Sequence, residues 1–215
     1  MTKPPSTHLH FAALAADVVC FRVHNDVLEA LLGKVAQNNV YENWWAHIGG
    51  LIRVEETADE AIDRLLNDKA GLKELYKEQL YTFSAIDRDP RGRVVSVAYI
   101  AFVNQDKKQS LETAQVETLW KPIAEIKKLA YDHDEITKVA IDRLQSKIVY
   151  TDMARYMMPQ EFTLSELQKV YEAVLGEGMD KRNFRKRILS LDLIKDTKRT
   201  VKKGVMRPAS LYTFK

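Results

Sequence analysis

The stretch GLIRVEETADEAIDRLLNDKAGL, residues 50–72, carries the strongest structural signal in the sequence. Thr57 is followed three residues later by Glu60, the pattern of a capping box, in which each side chain bonds the other residue's backbone N–H. Gly71 can adopt the left-handed conformation that ends many helices. Between these two signals, apolar residues recur at helical spacing, at Ala58, Ala61, Ile62, Leu65 and Leu66. The stretch therefore predicts a loop followed by an amphipathic helix that buries one face.

Apolar segments on both sides of this helix predict core strands. Residues 15–23, 27–35 and 94–103 are rich in β-branched, aromatic and other apolar residues. Residues 89–92, Asp-Pro-Arg-Gly, predict a turn just before the last of these strands. A second amphipathic helix is predicted after residue 134. Its apolar residues are Ile136, Ala140, Leu144 and Ile148.

Composition limits the classes of protein to which the chain can belong. A hydrophobic share of 46% and a charged share of 29% are typical of a globular protein that builds its own core. The single cysteine, Cys20, excludes a disulfide within the chain and a cysteine-based zinc cluster, and its apolar neighbours predict a buried side chain. The sequence has no apolar run of about 20 residues, and residues 1–7 lack the pattern of a signal peptide. We therefore expect a cytoplasmic protein that makes no membrane contact.

Charge is distributed unevenly, although the whole chain carries only +3. Residues 160–215 contain 13 Lys and Arg against 7 Asp and Glu, a net charge of +6, whereas residues 1–159 contain 20 against 23, a net charge of −3. The sign changes near Pro159, which also interrupts the helical pattern. We therefore predict a flexible N-terminus (1–14), a first domain (15–156) and a second domain (157–215). The basic character of the second domain suggests a polyanionic partner.

The second domain is predicted to contain two helices and then a hairpin. Thr163 and Glu166 form another capping box at the start of the first helix. A turn with two glycines, residues 176–178, precedes Asp180, which can cap a helix over residues 181–190. Two helices joined by a glycine-bearing turn are typical of the helix-turn-helix motif, and the hairpin that follows would make it a winged helix.

The second helix of this motif combines an apolar back with a basic front. Phe184, Ile188 and Leu191 lie at helical spacing and predict contact with the core. Long cationic and amide side chains on the front can reach DNA phosphates and base edges. The candidate DNA-binding residues on this helix are Lys181, Arg182, Asn183, Arg185 and Lys186. Those in the hairpin, which would act as a wing, are Lys202, Lys203 and Arg207. A solvated basic helix, or one that binds a protein or RNA, is the alternative.

Residues 50–72 also resemble the signature of the Nudix family, G-x5-E-x7-R-E-U-x-E-E-x-G-U, in which U is an apolar residue. The matching positions are Gly50, Glu56, Arg64, Leu66, Gly71 and Leu72. The three glutamates of the family's helix instead fall on Leu65, Asp68 and Lys69. Nudix enzymes hold Mg²⁺ with clustered carboxylates against the diphosphate of a nucleoside diphosphate derivative, and activate a water.

These departures remove the groups that the hydrolase chemistry needs. Leu65 supplies no metal ligand, and Lys69 brings a positive charge to a place where a cation should bind. The resemblance therefore implies a Nudix-like domain, an α/β/α sandwich with a mixed sheet. This domain has no metal site, needs no cofactor and is no longer an enzyme. The alternative is a weak hydrolase that acts with Mg²⁺ on ADP-ribose-like nucleoside diphosphates through Glu56, Glu60 and Asp68.

Four further segments resemble the Nudix-related transcriptional regulators, the NrtR-like family. They are residues 85–96, 132–136, 162–167 and 179–186. The resemblance implies an α+β chain, in which a Nudix-like domain precedes a small winged helix-turn-helix domain. It also implies a homodimeric repressor that binds a double-stranded DNA operator and senses a small-molecule effector in the former substrate pocket. The effector is ADP-ribose in the branch that controls NAD metabolism and a pentose sugar or derivative in the branch that controls sugar catabolism. The sequence leaves the branch open.

Candidate ligand-binding residues follow from the chemistry of such effectors. Arginine offers paired donors to phosphates, aspartate can orient the arginines or bond sugar hydroxyls, and tryptophan can stack on an adenine or a sugar. The candidates are Trp45, Glu56, Arg88, Asp89, Arg91 and Arg93. The three arginines could equally form salt bridges between domains. His47 and His133 are predicted to be structural residues held by hydrogen bonds.

Overall fold

A seven-stranded mixed sheet organises the first domain of this computed structural model, which describes residues 11–36, 40–104, 114–202 and 208–215. The strands are β1 (Ala13–His24), β2 (Val27–Lys34), β3 (Trp45–Ala46), β4 (Ile48–Leu51), β5 (Tyr76–Phe83), β6 (Val94–Phe102) and β7 (Thr118–Pro122). Five of them lie in the order β3-β2-β1-β6-β5, while β4 pairs with β1 and β7 pairs with β2. β1 and β6 run parallel, and the other pairs are antiparallel.

Strand β1 lies at the centre of the sheet and positions the functional site. Residues 18–21 are completely buried, as expected of a strand that is covered on both faces. Asn25 and Asp26, both with positive φ, form the two-residue turn into β2. The N-terminal half of β1 pairs with β4 instead, in a register that sets Asp17 opposite Gly49. This pairing brings a buried carboxylate beside the two glycines of β4, Gly49 and Gly50.

One long helix covers each face of the sheet. α1 (Ala58–Ala70) begins at the capping box that the sequence predicts and ends at Gly71, where φ is 67°. α2 (His133–Ile148) covers the opposite face. Separate apolar clusters lie under the two helices, so the α/β/α sandwich is confirmed. In the described part of the chain, no helix is both long enough and apolar enough to cross a membrane.

The second domain is a winged helix, as predicted. It consists of α3 (Leu164–Leu175), α4 (Lys181–Ser190), β8 (Ile194–Val201) and β9 (Ala209–Phe214). The Asp180 side chain accepts hydrogen bonds from the backbone N–H groups of Arg182 and Asn183, which fixes the start of α4. Phe162 and Tyr212 exchange backbone hydrogen bonds, so the chain before α3 joins the hairpin. The candidate wing residues Lys203 and Arg207 lie outside the described residues.

A single apolar cluster connects the two domains. It runs from one face of the sheet through α2 to both helices and the hairpin of the second domain. Phe162 and Leu167 are completely buried in it, and Tyr171 is 2% exposed. The boundary predicted near residue 157 therefore lies within a continuous core.

Hydrogen bonds also join α2 to the second domain. The Gln145 side chain donates to the Val174 carbonyl in α3 at 3.0 Å. The Arg187 guanidinium in α4 donates to the carbonyl of Val149, which follows α2, at 3.2 Å. The segment formed by α2 and Val149 is thus hydrogen-bonded to both helices of the second domain.

Candidate functional site

A cavity of about 340 Å³ opens in the first domain between the two glycines of β4 and the start of α2. Its wall is built from β1, the end of β2, the β3–β4 segment, the C-terminal turn of α1, the loop before β6 and the residues that begin α2. This volume lies within the range of pockets that hold small organic ligands.

Asp17 lies at the base of the cavity and is 5% exposed. Its carboxylate accepts a hydrogen bond from the Ser96 hydroxyl at 2.5 Å. Arg88 Nη2 lies 3.4 Å from one carboxylate oxygen, and His133 Nε2 lies 3.6 Å from the other. A buried charge needs such partners because it has lost its water. Asp17 therefore fixes residues from three separate segments.

Arg88 is the second buried charge of the cavity, with a side chain that is 4% exposed. Its Nε and Nη2 atoms donate to the two oxygens of Asp132, at 2.8 and 2.7 Å. This paired geometry is the strongest form of an arginine–carboxylate contact. Because Asp132 precedes α2, the contact joins the cavity wall to the start of that helix.

Arg91 and Asp89 form a second forked pair at the cavity mouth. Arg91 Nε and Nη2 donate to Asp89 at 3.0 and 2.7 Å, and the Arg91 side chain is 52% exposed. The bonds to Arg91 lower the pKa of Asp89, which keeps it ionised. The Arg91 guanidinium also lies 5.3 Å from the ring centroid of Tyr131. Arg91 thus combines a fixed orientation with exposure at the cavity.

His47 and His133 are stacked and buried beside Asp17, with ring centroids 5.6 Å apart. The His47 backbone N–H donates to His133 Nδ1 at 2.9 Å. The Thr137 hydroxyl donates to the His133 carbonyl, so His47 Nε2 carries the proton and donates to that hydroxyl at 2.6 Å. Burial lowers the pKa of both imidazoles, and both are neutral at neutral pH. Their role here is to hold the wall together.

The loop and helix that resemble the Nudix signature do not offer a magnesium site. Glu56 is held by Arg64 at 2.8 and 2.5 Å, and the bond to Arg64 lowers the Glu56 pKa to about 2. Leu65 is buried in the apolar cluster under α1, and Lys69 Nζ donates to the Gly49 carbonyl at 2.5 Å. Among the described residues, no group of three or more His, Cys, Asp or Glu side chains could hold a metal ion. Mg²⁺ prefers several oxygen ligands, so these residues do not fit it.

The structure brings three of the six candidate ligand residues together. Arg88, Asp89 and Arg91 line the cavity, whereas Trp45, Glu56 and Arg93 do not. Trp45 lies 6.0 Å from Lys34 Nζ, and Arg93 donates to the Ala85 carbonyl.

Sequence reasoning missed several residues of the cavity wall. The important ones are Asp17 and Tyr131. Lys69 also lines the cavity, whereas the motif alignment marked it only as the replacement of a metal ligand. A signal for Asp17 was present, since it is the only charged residue in the apolar run of residues 15–21. An isolated charge in a core strand needs a partner or a function.

Helix α4 presents a basic surface in the second domain. Phe184 and Ile188 are buried and attach the helix to the core. All five candidate residues on its front are exposed: Lys181, Arg182, Asn183, Arg185 and Lys186. Lys202, at the end of the described part of the hairpin, is exposed as well. This arrangement can place long cationic side chains in a DNA groove.

Comparison with known families matches both parts of the chain. Residues 13–141 match the NUDIX domain, and residues 154–214 match the NrtR DNA-binding winged helix domain. The "ADPR responsive transcriptional repressor NtrR" of Acinetobacter baylyi is 32% identical over 205 residues, which cover 94% of this chain and 81% of that protein.

Solved structures give the same result. Shewanella oneidensis NrtR, crystallised with a 27mer DNA, superposes with a TM-score of 0.81 at 32% identity and covers 94% of this chain and 93% of its own. The NUDIX domain of the same protein, crystallised with ADP ribose, has a TM-score of 0.56 at 29% identity and covers 66% of this chain and 94% of its own.

Proposed function

The chain belongs to the NrtR family of transcriptional regulators, in which a Nudix domain is joined to a winged-helix DNA-binding domain, and we propose that ADP-ribose binds in its cavity and releases it from DNA. The chain acts as a repressor that reads its operator with α4. Such a protein works in the cytoplasm, where its DNA lies.

The choice between the two classes of effector rests on the charge of the cavity wall. Four cationic side chains and two carboxylates line the cavity. Three of these cations, Lys34, Arg88 and Arg91, are paired with carboxylates, whereas Lys69 forms no ion pair among the described residues. A diphosphate supplies a partner for this remaining charge, whereas a free pentose supplies none. Of the two effector classes that the sequence leaves open, the cavity therefore favours ADP-ribose over an uncharged sugar.

We infer that two copies of the chain bind DNA together as a homodimer. A winged helix reads only one half-site, and a dimer with two-fold symmetry matches a palindromic operator. The two winged helices of the dimer can adopt an arrangement that fits DNA and one that does not. The effector acts by binding more tightly to the arrangement that does not fit DNA.

The cavity binds its ligand without cleaving it. Glu56, the unchanged glutamate of the Nudix signature, is held by Arg64, and Lys69 and Leu65 stand where the family has carboxylates. Asp68 keeps an acid at the third position, with a shorter side chain than the glutamate of the family. We therefore expect no turnover of ADP-ribose.

A fluorescence anisotropy titration tests the proposal. The full chain is added to labelled duplex DNA from the region upstream of the neighbouring operon, and ADP-ribose or free ribose is then added. We expect salt-sensitive, sequence-selective binding that ADP-ribose reverses and ribose does not. Chromatography of the mixture after incubation with Mg²⁺ should recover the ADP-ribose intact. Binding without sequence selectivity would contradict the function as a repressor, and turnover that Glu56→Gln abolishes would favour the hydrolase.

A further inference from the structure

Lys69 occupies a position in the cavity that the Nudix signature assigns to a metal-binding glutamate. The side chain comes from the last turn of α1 and lines the cavity. Its Nζ donates to the Gly49 carbonyl at 2.5 Å, and the position that a Cβ on Gly50 would take lies 3.7 Å from this atom. The ammonium group is therefore held against Gly49 and Gly50 of β4, on the wall of the cavity.

Lys69 has no carboxylate partner among the described residues, whereas the three other cationic side chains of the cavity each have one. Arg88 is paired with Asp132, and Arg91 with Asp89. Lys34 is paired with Glu117 at 2.8 Å. Among the described residues, Lys69 forms no ion pair, and its hydrogen-bond acceptor is a neutral carbonyl.

This position is costly for a cation in the absence of a ligand. Burial lowers the pKa of Lys69, because it removes water from the ammonium group. The neighbouring arginines Arg64 and Arg91 lower it further, while Asp17 opposes them. An anion in contact with Nζ would relieve this cost.

We propose that Lys69 takes the place of the Nudix metal ion and binds the diphosphate of the effector directly. The proposal rests on the function proposed above, in which the cavity holds ADP-ribose. An ammonium group donates up to three hydrogen bonds, so Nζ can keep the Gly49 carbonyl and also bind two phosphate oxygens. The chain then recognises a diphosphate ester without any divalent cation.

Isothermal titration calorimetry of the full chain provides the test. ADP-ribose is titrated in buffer with EDTA and again in buffer with Mg²⁺. We expect dissociation constants that agree within about 2-fold. Lys69→Met, which keeps an unbranched side chain of nearly the same length but loses the ammonium group, should weaken binding about 10- to 100-fold in both buffers. Binding that is at least about 10-fold weaker in EDTA would overturn the proposal without the use of any variant.

Lys77→Met is the matched control. Lys77 is paired with Asp63 at 2.5 Å on the outer side of α1 and does not line the cavity. The Lys77→Met variant should bind ADP-ribose with the affinity of the wild type. Thermal unfolding of both variants establishes that each is folded, and a Lys69→Met protein that is folded and binds like the wild type would refute the assignment.

Inorganic pyrophosphate separates failure of this proposal from failure of the proposed function. Pyrophosphate carries the diphosphate without nucleoside or ribose, so its binding in EDTA should depend on Lys69 in the same way. If the wild type binds pyrophosphate through Lys69 but does not bind ADP-ribose, the choice of effector is wrong and the role of Lys69 stands. If neither ligand depends on Lys69, the role of Lys69 is wrong.

Discussion

Protonation of Lys69 gives ligand binding a predictable pH dependence. Burial lowers the pKa of the free ammonium group, and contact with a diphosphate raises it again. Affinity is therefore complete at pH values below the pKa of the free protein and falls as the pH rises through it, by at most about 10-fold per pH unit. Calorimetry with ADP-ribose from about pH 7 to about pH 10 should show this decline in the wild type. Lys69→Met should show a flatter profile, and an equal decline in both proteins would assign the titration to another group.

The residues of the site were predictable where a local sequence pattern, such as the aligned motif or a turn, marks their positions. The alignment of residues 50–72 identifies Leu65 and Lys69 as replacements, and the DPRG turn identifies Arg91. The convergence of Asp17, Arg88 and His133 depends on strand pairing and on where α2 begins. Neither is visible in a single sequence, because contacts between distant segments are set by tertiary packing. Trp45 illustrates the limit, since its ring has the chemistry to stack on a ligand but does not reach the cavity.

At the scale of elements, α4 is the part of the molecule whose charge can be removed without touching its packing. Arg185 and Lys186 are exposed, whereas Phe184 and Ile188 hold the helix in place. The double variant Arg185→Ala with Lys186→Ala should weaken DNA binding in anisotropy titrations. It should also reduce the slope of log affinity against log salt concentration by about 2, since each lost phosphate contact removes about 0.9.

A double variant of the first domain is the control for this prediction. Lys127→Ala with Lys128→Ala also removes two exposed positive charges, but from the segment before α2. Its affinity for the operator should stay close to that of the wild type. An equal loss in both double variants would mean that net charge, and not the surface of α4, governs binding, which would favour the solvated-helix alternative.

The elements that the sequence predicted best are those with local signals. Both capping boxes form as predicted at Thr57 and Thr163, because their hydrogen bonds join residues three apart. The strands β3, β4 and β7 have two to five residues each, too few for a periodic pattern. Their existence depends on backbone pairing with β1 and β2, which no local propensity encodes.

At the scale of the whole molecule, the continuous core predicts that the two domains unfold together. Phe162 is completely buried in the second domain, whereas the three tryptophans, Trp44, Trp45 and Trp120, all belong to the first. Phe162→Ala should destabilise the chain by about 3–5 kcal/mol and lower the midpoint of thermal unfolding by about 10 °C. Tryptophan fluorescence should report this shift even though the substitution lies in the other domain.

Glu177→Ala, at an exposed position of the second domain, is the control and should leave the midpoint within about 2 °C of the wild type. If tryptophan fluorescence kept its original midpoint in Phe162→Ala while circular dichroism showed an earlier transition, the domains would be independent.

The charge change near residue 157 predicted that two units exist but not how closely they pack. The apolar stripe of α3 includes Leu167 and Tyr171, and it has the same spacing whether it faces its own domain or a neighbour. Which of the two it covers is decided by the shape of the sheet and of α2. The sequence therefore indicates where the chain changes character, while the continuity of the core becomes visible only in the structure.

Helix α2 has a practical consequence for protein engineering. Its first residue, His133, lines the cavity. Its other end is hydrogen-bonded to α3 through Gln145, and the residue that follows it, Val149, accepts a bond from α4. A biosensor that fused only residues 157–215 to a foreign receptor would lack α2, the helix against which the winged helix packs. The transferable unit is the winged helix together with α2, and a new receptor would have to be grafted at the start of α2, where the cavity wall meets the helix that packs against the winged helix.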